Sequence, residues 1–300
     1  MISIIICSAN AIKLHNTLES ISKTIGYPYE VIVKDNRLAG DGICKVYNTC
    51  AMDANGDYLC FLHEDVVFNS ENWGFELVNF INSNSNCGVV GCAGTDYISK
   101  YHAYWWRCGI LEQNYRSFNS VDKKEITKIK TGRILENNPD GFSEVIVLDG
   151  FFMFCKKTVW EDTRFDEKSF DRFHFYDVDF SFSQCLKGRK NYVCHTIDVT
   201  HLSLGTCNLD HYKAAKIYRE KYNYILPYTI DNSLSSLKLE MNECKSIISL
   251  WLYTIRLGVP EKEFFREIKK YMGIKFTALF IFYPIIWLYF FKKNSIISRF

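Results

Sequence analysis

Short apolar runs that end in polar residues alternate with segments of helical spacing over the first 65 residues of the chain. The runs cover residues 2–7, 30–34 and 58–62, and β-branched residues dominate the first two. Between them, apolar positions spaced as on one helix face predict helices over residues 11–24 and 43–54. Strand, helix, strand, helix and strand in this order predict an α/β fold with a doubly wound, mainly parallel sheet flanked by helices.

Polar side chains follow each of the three predicted strands. Because the carboxyl ends of parallel strands meet at one rim, where open α/β sheets bind ligands, we expect these side chains to lie close together. Closely spaced acids there can hold a hard divalent cation, which in turn holds phosphates, or they can simply begin a solvated loop. The residues in question are Ser8, Asn10, Asp35, Asn36, His63, Glu64 and Asp65.

The pattern changes after the third strand. A helix is predicted over 73–81 and a glycine-rich strand over 87–94, and the irregular stretch 98–142 is predicted to be an inserted loop or hairpin region. Its Trp105 and Trp106 favour either ordinary packing or a platform on which a sugar stacks. Strand character returns over 143–154, where Asp149 stands beside a glycine at a plain turn or a sugar contact.

Two acids, Asp177 and Asp179, precede a predicted helix that ends near residue 187. A carboxylate there can act as a general base, or it can cap the helix, since Asp is a preferred N-cap residue. A last strand is predicted over 192–199, and His201 follows it. His201 is either a satisfied structural histidine or a side chain that returns to the acid-bearing rim as a metal ligand.

Composition excludes several classes of protein. The chain has 300 residues, 48% of them hydrophobic and 16% aromatic, which is ample for a large core and too apolar for disorder. A net charge of +2 without a long basic cluster argues against nucleic-acid binding. The twelve cysteines form no Cys-x-x-Cys pair, which favours reduced thiols in the cytosol, and the first residues do not resemble a secretory signal.

The motifs, taken in order, resemble the GT-A (Rossmann-like) fold of family-2-like glycosyltransferases, over residues 1–228. A bacterial branch with a His-x-Asp metal motif is the most similar. Two positions depart from the usual pattern: His63 stands where the first acid of Asp-x-Asp is expected, and Tyr176 stands where the usual Glu-Asp pair has Glu. The motifs that carry the resemblance are Asp35-Asn36, Asn48, His63-Glu64-Asp65, Leu148-Asp149-Gly150, Tyr176-Asp177-Val178-Asp179 and His201.

The resemblance implies roles for these residues. Asp65, with His201 and His63, is expected to hold Mn²⁺ or Mg²⁺, and Mn²⁺ tolerates imidazole better. Asp177 is expected to be the general base. Weak acceptor contacts are expected from Trp105, Trp106 and Asp179. Contacts to the nucleotide sugar are expected from Ser8, Asn10, Asp35, Asn36, Asn48, Glu64 and Asp149.

The function that this set implies is metal-dependent, inverting transfer of a sugar from a nucleoside-diphosphate sugar, most simply a UDP-sugar, to a hydroxyl acceptor. Cell-surface polysaccharide or lipid-linked glycan synthesis would be a natural setting. Two alternatives stay open. A sugar-phosphate nucleotidyltransferase would need a glycine-rich, basic loop after the first strand, and that position reads Ser8-Ala-Asn-Ala-Ile-Lys13. A non-catalytic nucleotide-sugar-binding scaffold of a membrane assembly is the other.

The carboxyl-terminal part, residues 229–300, is predicted to be a helical extension. Its apolar segment 276–291 carries no charge and is flanked by lysines on both sides. At sixteen residues it is shorter than the roughly 20 that a spanning helix needs. The segment is predicted either to pack on the catalytic domain or to lie in the membrane interface, which would place the protein peripherally on the cytoplasmic face of the cell membrane.

Overall fold

A computed structural model describes residues 1–104, 111–118, 125–131, 141–203, 207–261, 263–264 and 266–268. Its helices are α1 (Ala11–Thr24), α2 (Ile43–Asp53), α3 (Trp73–Ser83), α4 (Lys157–Asp162), α5 (Tyr176–Leu186), α6 (Leu209–Lys221) and α7 (Ser236–Arg256). Its strands are β1 (Ile2–Ser8), β2 (Tyr29–Asp35), β3 (Tyr58–His63), β4 (Val66–Phe68), β5 (Cys87–Gly91), β6 (Ala93–Thr95), β7 (Tyr97–Ile98), β8 (Leu111–Phe118), β9 (Glu125–Thr131), β10 (Phe142–Val145), β11 (Val147–Leu148), β12 (Phe152–Lys156), β13 (Lys190–Cys194), β14 (Val199–His201) and β15 (Tyr228–Thr229).

The central sheet has seven strands in the order β10-β13-β5-β12-β3-β1-β2. Five of them, β1, β2, β3, β5 and β13, run in one direction, and β10 and β12 run against them. The predicted mainly parallel α/β sheet is confirmed. Continuous apolar runs form its middle because β1 and β3 are covered on both faces, so that Ile4 to Ile6 and Leu59 to Leu62 are fully buried.

Three predicted strands are each divided between two sheets, which the hydrophobic pattern did not indicate. The apolar run from Tyr58 to Phe68 breaks into β3 and β4, the run after Cys87 into β5 and β6, and the run before His201 into β13 and β14. The second parts join a smaller sheet in the order β11-β6-β8-β14-β4, with β9 paired to β8. His201 therefore ends a short strand of this second sheet, opposite Val66 of β4.

Part of the irregular stretch 98–142 is a β-hairpin, in agreement with the prediction. Strands β8 and β9 pair in antiparallel register, Gln113 opposite Thr131 and Tyr115 opposite Ile129. Strand β8 also pairs with β6 and β14, so the hairpin continues the second sheet. Trp105 and Trp106 lie outside the described residues.

The chain forms two compact units, Met1–Asn232 and Ser233–Phe300. The first unit contains both sheets and their packed core. In the second, α7 starts at the N-cap Ser235, whose side chain accepts a hydrogen bond from the backbone N–H of Lys238. No helix within the described part of the chain is long and apolar enough to cross a membrane. The apolar segment 276–291 lies outside the described residues.

Candidate active site

Three side chains from separate parts of the sequence meet where the two sheets join. His63 is the last residue of β3, Asp65 lies in the turn between β3 and β4, and His201 is the last residue of β14. Pairing of β14 with β4 brings His201 beside the turn that carries Asp65. One ligand atom from each of the three residues lies within 4.8 Å of the other two. The predicted convergence of these three side chains is therefore present.

Asp65 is 4% exposed and has partners on both carboxylate oxygens. Its Oδ1 lies 3.3 Å from His201 Nε2, and its Oδ2 accepts a hydrogen bond from Lys13 Nζ at 3.0 Å. Burial alone would raise the pKa of Asp65, but hydrogen bonds from His201 and Ser203 outweigh it and hold the pKa well below its usual range. The carboxylate is therefore ionised, which is the form that binds cations.

Lys13 is a site residue that the sequence reasoning missed. It lies in the first turn of α1, directly above the rim, because the Asn10 side chain caps that helix by accepting from the backbone N–H groups of Ile12 and Lys13. The only sequence signal is a cationic residue one turn into the helix that follows β1. Its ammonium forms an ion pair with the Asp65 carboxylate.

His63 has one of its ring nitrogens engaged. Its Nε2 lies 2.7 Å from the hydroxyl of Tyr176, the first residue of α5. Burial, with a smaller contribution from His201, lowers the pKa of His63 to about 3. The imidazole is therefore neutral at physiological pH, as metal ligation requires.

The donor set fits a divalent cation. A carboxylate oxygen and two imidazole nitrogens suit Mn²⁺, which tolerates imidazole ligands, better than Mg²⁺, which prefers all-oxygen surroundings. The described residues contain this one such cluster of His, Cys, Asp and Glu side chains. His63 is neutral and Asp65 is ionised, as ligation requires, so the predicted cofactor class fits the residues present.

Asp177 stands beside this cluster, in the first turn of α5 and partly accessible. Its Oδ2 accepts a hydrogen bond from the backbone N–H of Gly150 at 2.8 Å. Burial, and after it the negative charge of Asp149, raise the pKa of Asp177 to about 7. Phe175 is the N-cap, with φ of 66° and no side-chain capping bond, so neither Asp177 nor Asp179 caps the helix. A carboxylate with this pKa is suited to general-base chemistry near neutrality.

Asp149 lies in a turn, which is one of the two possibilities that its sequence context allowed for this residue. Its Oδ1 accepts from the backbone N–H of Phe151 at 3.2 Å, which places the side chain next to Asp177. Gly150 is required between them, because a Cβ there would lie 2.1 Å from the Tyr176 hydroxyl. The turn thus holds Asp149, Asp177 and Tyr176 in one cluster.

Asp179, which was weakly assigned to the acceptor from the sequence, has its partners inside the protein. It is 3% exposed, and its Oδ1 accepts from Lys221 Nζ and Tyr222 Oη, both at 2.8 Å. It lies two residues after Asp177, so on a helix the two side chains point in different directions. Asp179 instead joins α5 to α6 through a buried ion pair.

Asn48 is also placed differently from its assignment as a nucleotide-sugar contact. Its Oδ1 accepts from Trp160 Nε1 and from the backbone N–H of Phe165, both at 3.1 Å. Its Nδ2 donates to the Phe165 carbonyl at 2.9 Å and to Glu167 Oε2 at 3.4 Å. The buried amide therefore fastens α2 to the segment that follows α4 and has no group left for a ligand.

The remaining predicted nucleotide contacts lie on the expected rim. Ser8 and Asp35 are opposite each other in the β1–β2 register, and Cys7 is opposite His63. Glu64 Oε2 accepts from Ser8 Oγ at 2.7 Å and from the backbone N–H of Asn10 at 2.7 Å. The carboxylate thereby fixes the loop between β1 and α1.

The end of β2 is closed by two local interactions. The carboxylate of Asp35 pairs with Arg37, whose guanidinium lowers the pKa of Asp35 to about 2. The Asn36 amide bonds both the N–H and the carbonyl of Asp41. These residues shape the rim loops, and Asp35 stays exposed on their surface.

The model of a family described as "Glycosyltransferase like family" matches residues 3–224. No curated protein matches the chain in sequence. The crystal structure of GalNAc-T7 with UDP, GalNAc and Mn²⁺ is similar at a TM-score of 0.50 and 11% identity. That match covers 91% of this chain and 57% of that one, so this chain spans little more than half of its length. S. aureus TarS 1–349 in complex with UDP gives a TM-score of 0.48 and 14% identity, with 82% and 70% covered.

The family model matches almost three-quarters of the chain, and the matched region contains all the motifs from Asp35 to His201. The likeness to GalNAc-T7 concerns the fold alone, and that fold is GT-A. The chain belongs to the glycosyltransferase-like family, and its fold is GT-A.

Proposed function

We propose that this protein is a metal-dependent, inverting glycosyltransferase, and that it transfers a sugar from a nucleoside-diphosphate sugar to a hydroxyl group. One observation carries the proposal: a chain of hydrogen bonds joins the cation cluster to the base. It runs from His63 Nε2 to Tyr176 Oη at 2.7 Å, from Tyr176 Oη to the Gly150 carbonyl at 2.9 Å, and from the Gly150 N–H to Asp177 at 2.8 Å. The candidate cation ligands and the candidate base are thus connected by one hydrogen-bond network.

Asp177 supplies the chemistry of the acceptor side. Its ionised carboxylate takes the proton of the acceptor hydroxyl as the hydroxyl oxygen attacks the anomeric carbon of the donor sugar. The bond from that carbon to the diphosphate breaks, and the diphosphate leaves with the electron pair. The Gly150 N–H donates to one oxygen of this carboxylate at 2.8 Å and so holds it in place.

His63, Asp65 and His201 hold the leaving-group side. A bound divalent cation would neutralise the charge that develops on the diphosphate as it leaves. Lys13 adds a second positive charge at the same place, 3.0 Å from Asp65. A cation held by Asp65 would compete with the Lys13 ammonium for the carboxylate, and the ammonium, carried on the first turn of α1, would then be available to bind phosphate oxygens.

Replacing Lys13 with methionine is therefore expected to have opposite effects on two ligands. Mn²⁺ should bind the free protein more tightly, because the ammonium no longer competes for Asp65. The nucleoside diphosphate should bind about 10–150-fold more weakly, since a hydrogen bond to a charged group contributes about 1.5–3 kcal/mol. Isothermal titration with each ligand measures both. Lys23→Met, on the exposed side of α1, is the control; equal changes in the two variants would remove Lys13 from the site.

A uridine nucleotide fits the proposal best. The rim loops carry amide, hydroxyl and carboxylate groups that can bond a pyrimidine edge and a ribose, and these groups belong to Ser8, Asn10, Asp35 and Asn36. GalNAc-T7, which shares the fold, holds UDP and Mn²⁺ in its crystal structure. Glu64 positions the first of these loops.

The proposal is tested with the purified full chain, a panel of nucleotide sugars and Mn²⁺. We expect metal-dependent release of nucleoside diphosphate from one uridine donor, and inversion at the anomeric carbon of the product as seen by NMR. Binding of the nucleotide sugar without release in the presence of hydroxyl acceptors would favour a scaffold. Formation of pyrophosphate from a nucleoside triphosphate and a sugar phosphate would favour nucleotidyl transfer.

The acceptor that we propose is a cell-surface polysaccharide or a lipid-linked glycan at the cytoplasmic face of the membrane. This rests on the sequence of the segment 276–291, which is apolar and lies between lysines. A helix in the membrane interface would keep the catalytic unit beside such an acceptor.

Vesicles test the membrane part of the proposal. The full chain should sediment with vesicles that contain phosphatidylglycerol and remain in solution with phosphatidylcholine alone. Lys292→Glu with Lys293→Glu should weaken binding by about 30-fold, since each lysine near an anionic surface contributes about 1 kcal/mol. Lys23→Glu with Lys213→Glu, on exposed helix faces of the first unit, should bind as the unmodified chain does. Equal binding to both kinds of vesicle would contradict the electrostatic anchor.

A further inference from the structure

The two positions at which this chain departs from the usual motif pattern contact each other. His63 replaces the expected acid, Tyr176 replaces the expected glutamate, and 113 residues separate them in sequence. His63 Nε2 lies 2.7 Å from Tyr176 Oη, which is a short and well-formed hydrogen bond. The two exchanges thus produce one interaction at the edge of the cation cluster.

Counting hydrogens assigns the direction of this bond. A tyrosine hydroxyl has one hydrogen, and that of Tyr176 is donated to the Gly150 carbonyl at 2.9 Å. A carbonyl oxygen can only accept, so the hydroxyl oxygen faces His63 Nε2 as an acceptor. Nε2 must then carry a hydrogen, and in a neutral imidazole Nδ1 is left with its lone pair.

Packing prevents Tyr176 from turning away. The residue is 3% exposed, and its ring meets the ring of Tyr47 edge-on at 5.8 Å between centroids. The Tyr47 hydroxyl points to the Leu62 carbonyl at 3.4 Å. On the other side, the Tyr176 hydroxyl lies so close to Gly150 that a Cβ at this position would be 2.1 Å from it. The acceptor for His63 is therefore held in a fixed place.

We propose that Tyr176 is a positioning residue for the cation site: it holds His63 in the Nε2–H tautomer and directs Nδ1 to the metal. The proposal rests on the proposed metal dependence. Each ring nitrogen has a single in-plane direction for a partner, and that of Nε2 is taken by Tyr176. Metal-bound histidines commonly donate their second ring N–H to an acceptor that fixes their orientation. The usual acceptors are carboxylates, backbone carbonyls or water, and here a tyrosine hydroxyl takes their place.

Nitrogen-15 NMR of histidine-labelled full-length protein tests the tautomer without measuring activity. His63→Ala identifies the His63 signals by their loss. We expect a protonated Nε2 and an unprotonated Nδ1 before metal is added, and a shift of Nδ1 on titration with diamagnetic Zn²⁺. A protonated Nδ1, or a Zn²⁺-dependent shift at Nε2, would overturn the proposal.

A double-mutant cycle on Mn²⁺ affinity separates positioning from general support of the fold. Electron paramagnetic resonance reads free Mn²⁺ in the absence of nucleotide. Tyr176→Phe should weaken Mn²⁺ binding about 10–100-fold, as loss of such outer partners usually does. In the His63→Ala background the same change should have no further effect, because the histidine it acts through is gone. An equal loss in both backgrounds would show that Tyr176 only supports the structure.

Tyr222→Phe is the matched control for this cycle. It also removes a buried tyrosine hydroxyl that bonds α5, through Asp179 at 2.8 Å, but it lies away from His63. We expect Mn²⁺ binding to be unchanged in this variant. A loss as large as that in Tyr176→Phe would indicate loosening of α5 in place of a specific contact. Failure of metal binding in the unmodified protein would instead reject the proposed metal dependence.

Discussion

Asp177→Asn is expected to lower kcat by about 10²–10⁴-fold, the usual contribution of a general base. Asparagine has nearly the same shape and its amide oxygen can still accept from the Gly150 N–H, but it cannot take the acceptor's proton. Nucleotide-sugar affinity should be preserved. Thermal stability at pH 8 should rise, because the raised pKa means that the ionised Asp177 carboxylate costs folding free energy. Kinetics, donor titration and thermal unfolding measure the three quantities.

The pH profile gives the same expectation a second test. The base works only when ionised, so kcat/KM should fall tenfold per pH unit as the pH drops below about 7, the value to which burial and Asp149 raise the pKa of Asp177. Asp179→Asn is the control. It should destabilise the fold, since it breaks the buried pair with Lys221, and leave the pH profile of the remaining activity unchanged. A large kcat loss in Asp179→Asn with a mild one in Asp177→Asn would reverse the assignment.

Asp65→Ala is expected to abolish transfer while the protein remains folded. Asp65 is the only carboxylate in the cation cluster of the described residues, and two imidazoles without a charged ligand hold Mn²⁺ weakly. Donor affinity should also lose its dependence on Mn²⁺. Lys13, which loses its partner, is 39% exposed in its side chain and can be solvated, so the change adds no buried charge.

Two comparisons make the Asp65 result interpretable. Asp57→Ala removes an exposed acid just before β3, the strand that leads to Asp65, and should have no effect on turnover. His201→Ala should weaken Mn²⁺ dependence less than Asp65→Ala, because a charged ligand is kept. Unchanged turnover in Asp65→Ala would remove the cation from the mechanism, and unfolding of His201→Ala would assign His201 a structural role.

The arrangement of the rim could be predicted because it depends on local patterns. Apolar runs give the buried strands, their carboxyl ends lie at one edge in a parallel sheet, and so Ser8, Asp35 and His63 had to be neighbours. His201 depends on more than this. Its place beside Asp65 is set by the pairing of β14 with β4 in a second sheet, which hydrophobic periodicity does not encode. Only the resemblance to a family supplied it.

The predicted site residues that bond inside the protein, and the residue that was missed, share a physical cause. A polar side chain in a sequence carries no sign of which partner it will meet, so Asn48 and Asp179 were assigned to ligands although Trp160 and Lys221 already bind them. Lys13 was missed because nothing local ties a helix lysine to an acid 52 residues later. Such contacts are properties of the packed structure.

The contact between His63 and Tyr176 also has an evolutionary consequence. If each exchange is useful only beside the other, a protein with the histidine alone would lack the acceptor that orients its imidazole. A protein with the tyrosine alone would have a hydroxyl without this histidine as its partner. The two positions should therefore change together among relatives of this chain, with histidine accompanied by tyrosine and aspartate by glutamate. A relative with histidine and glutamate, or aspartate and tyrosine, would be an intermediate, and we expect such sequences to be rare.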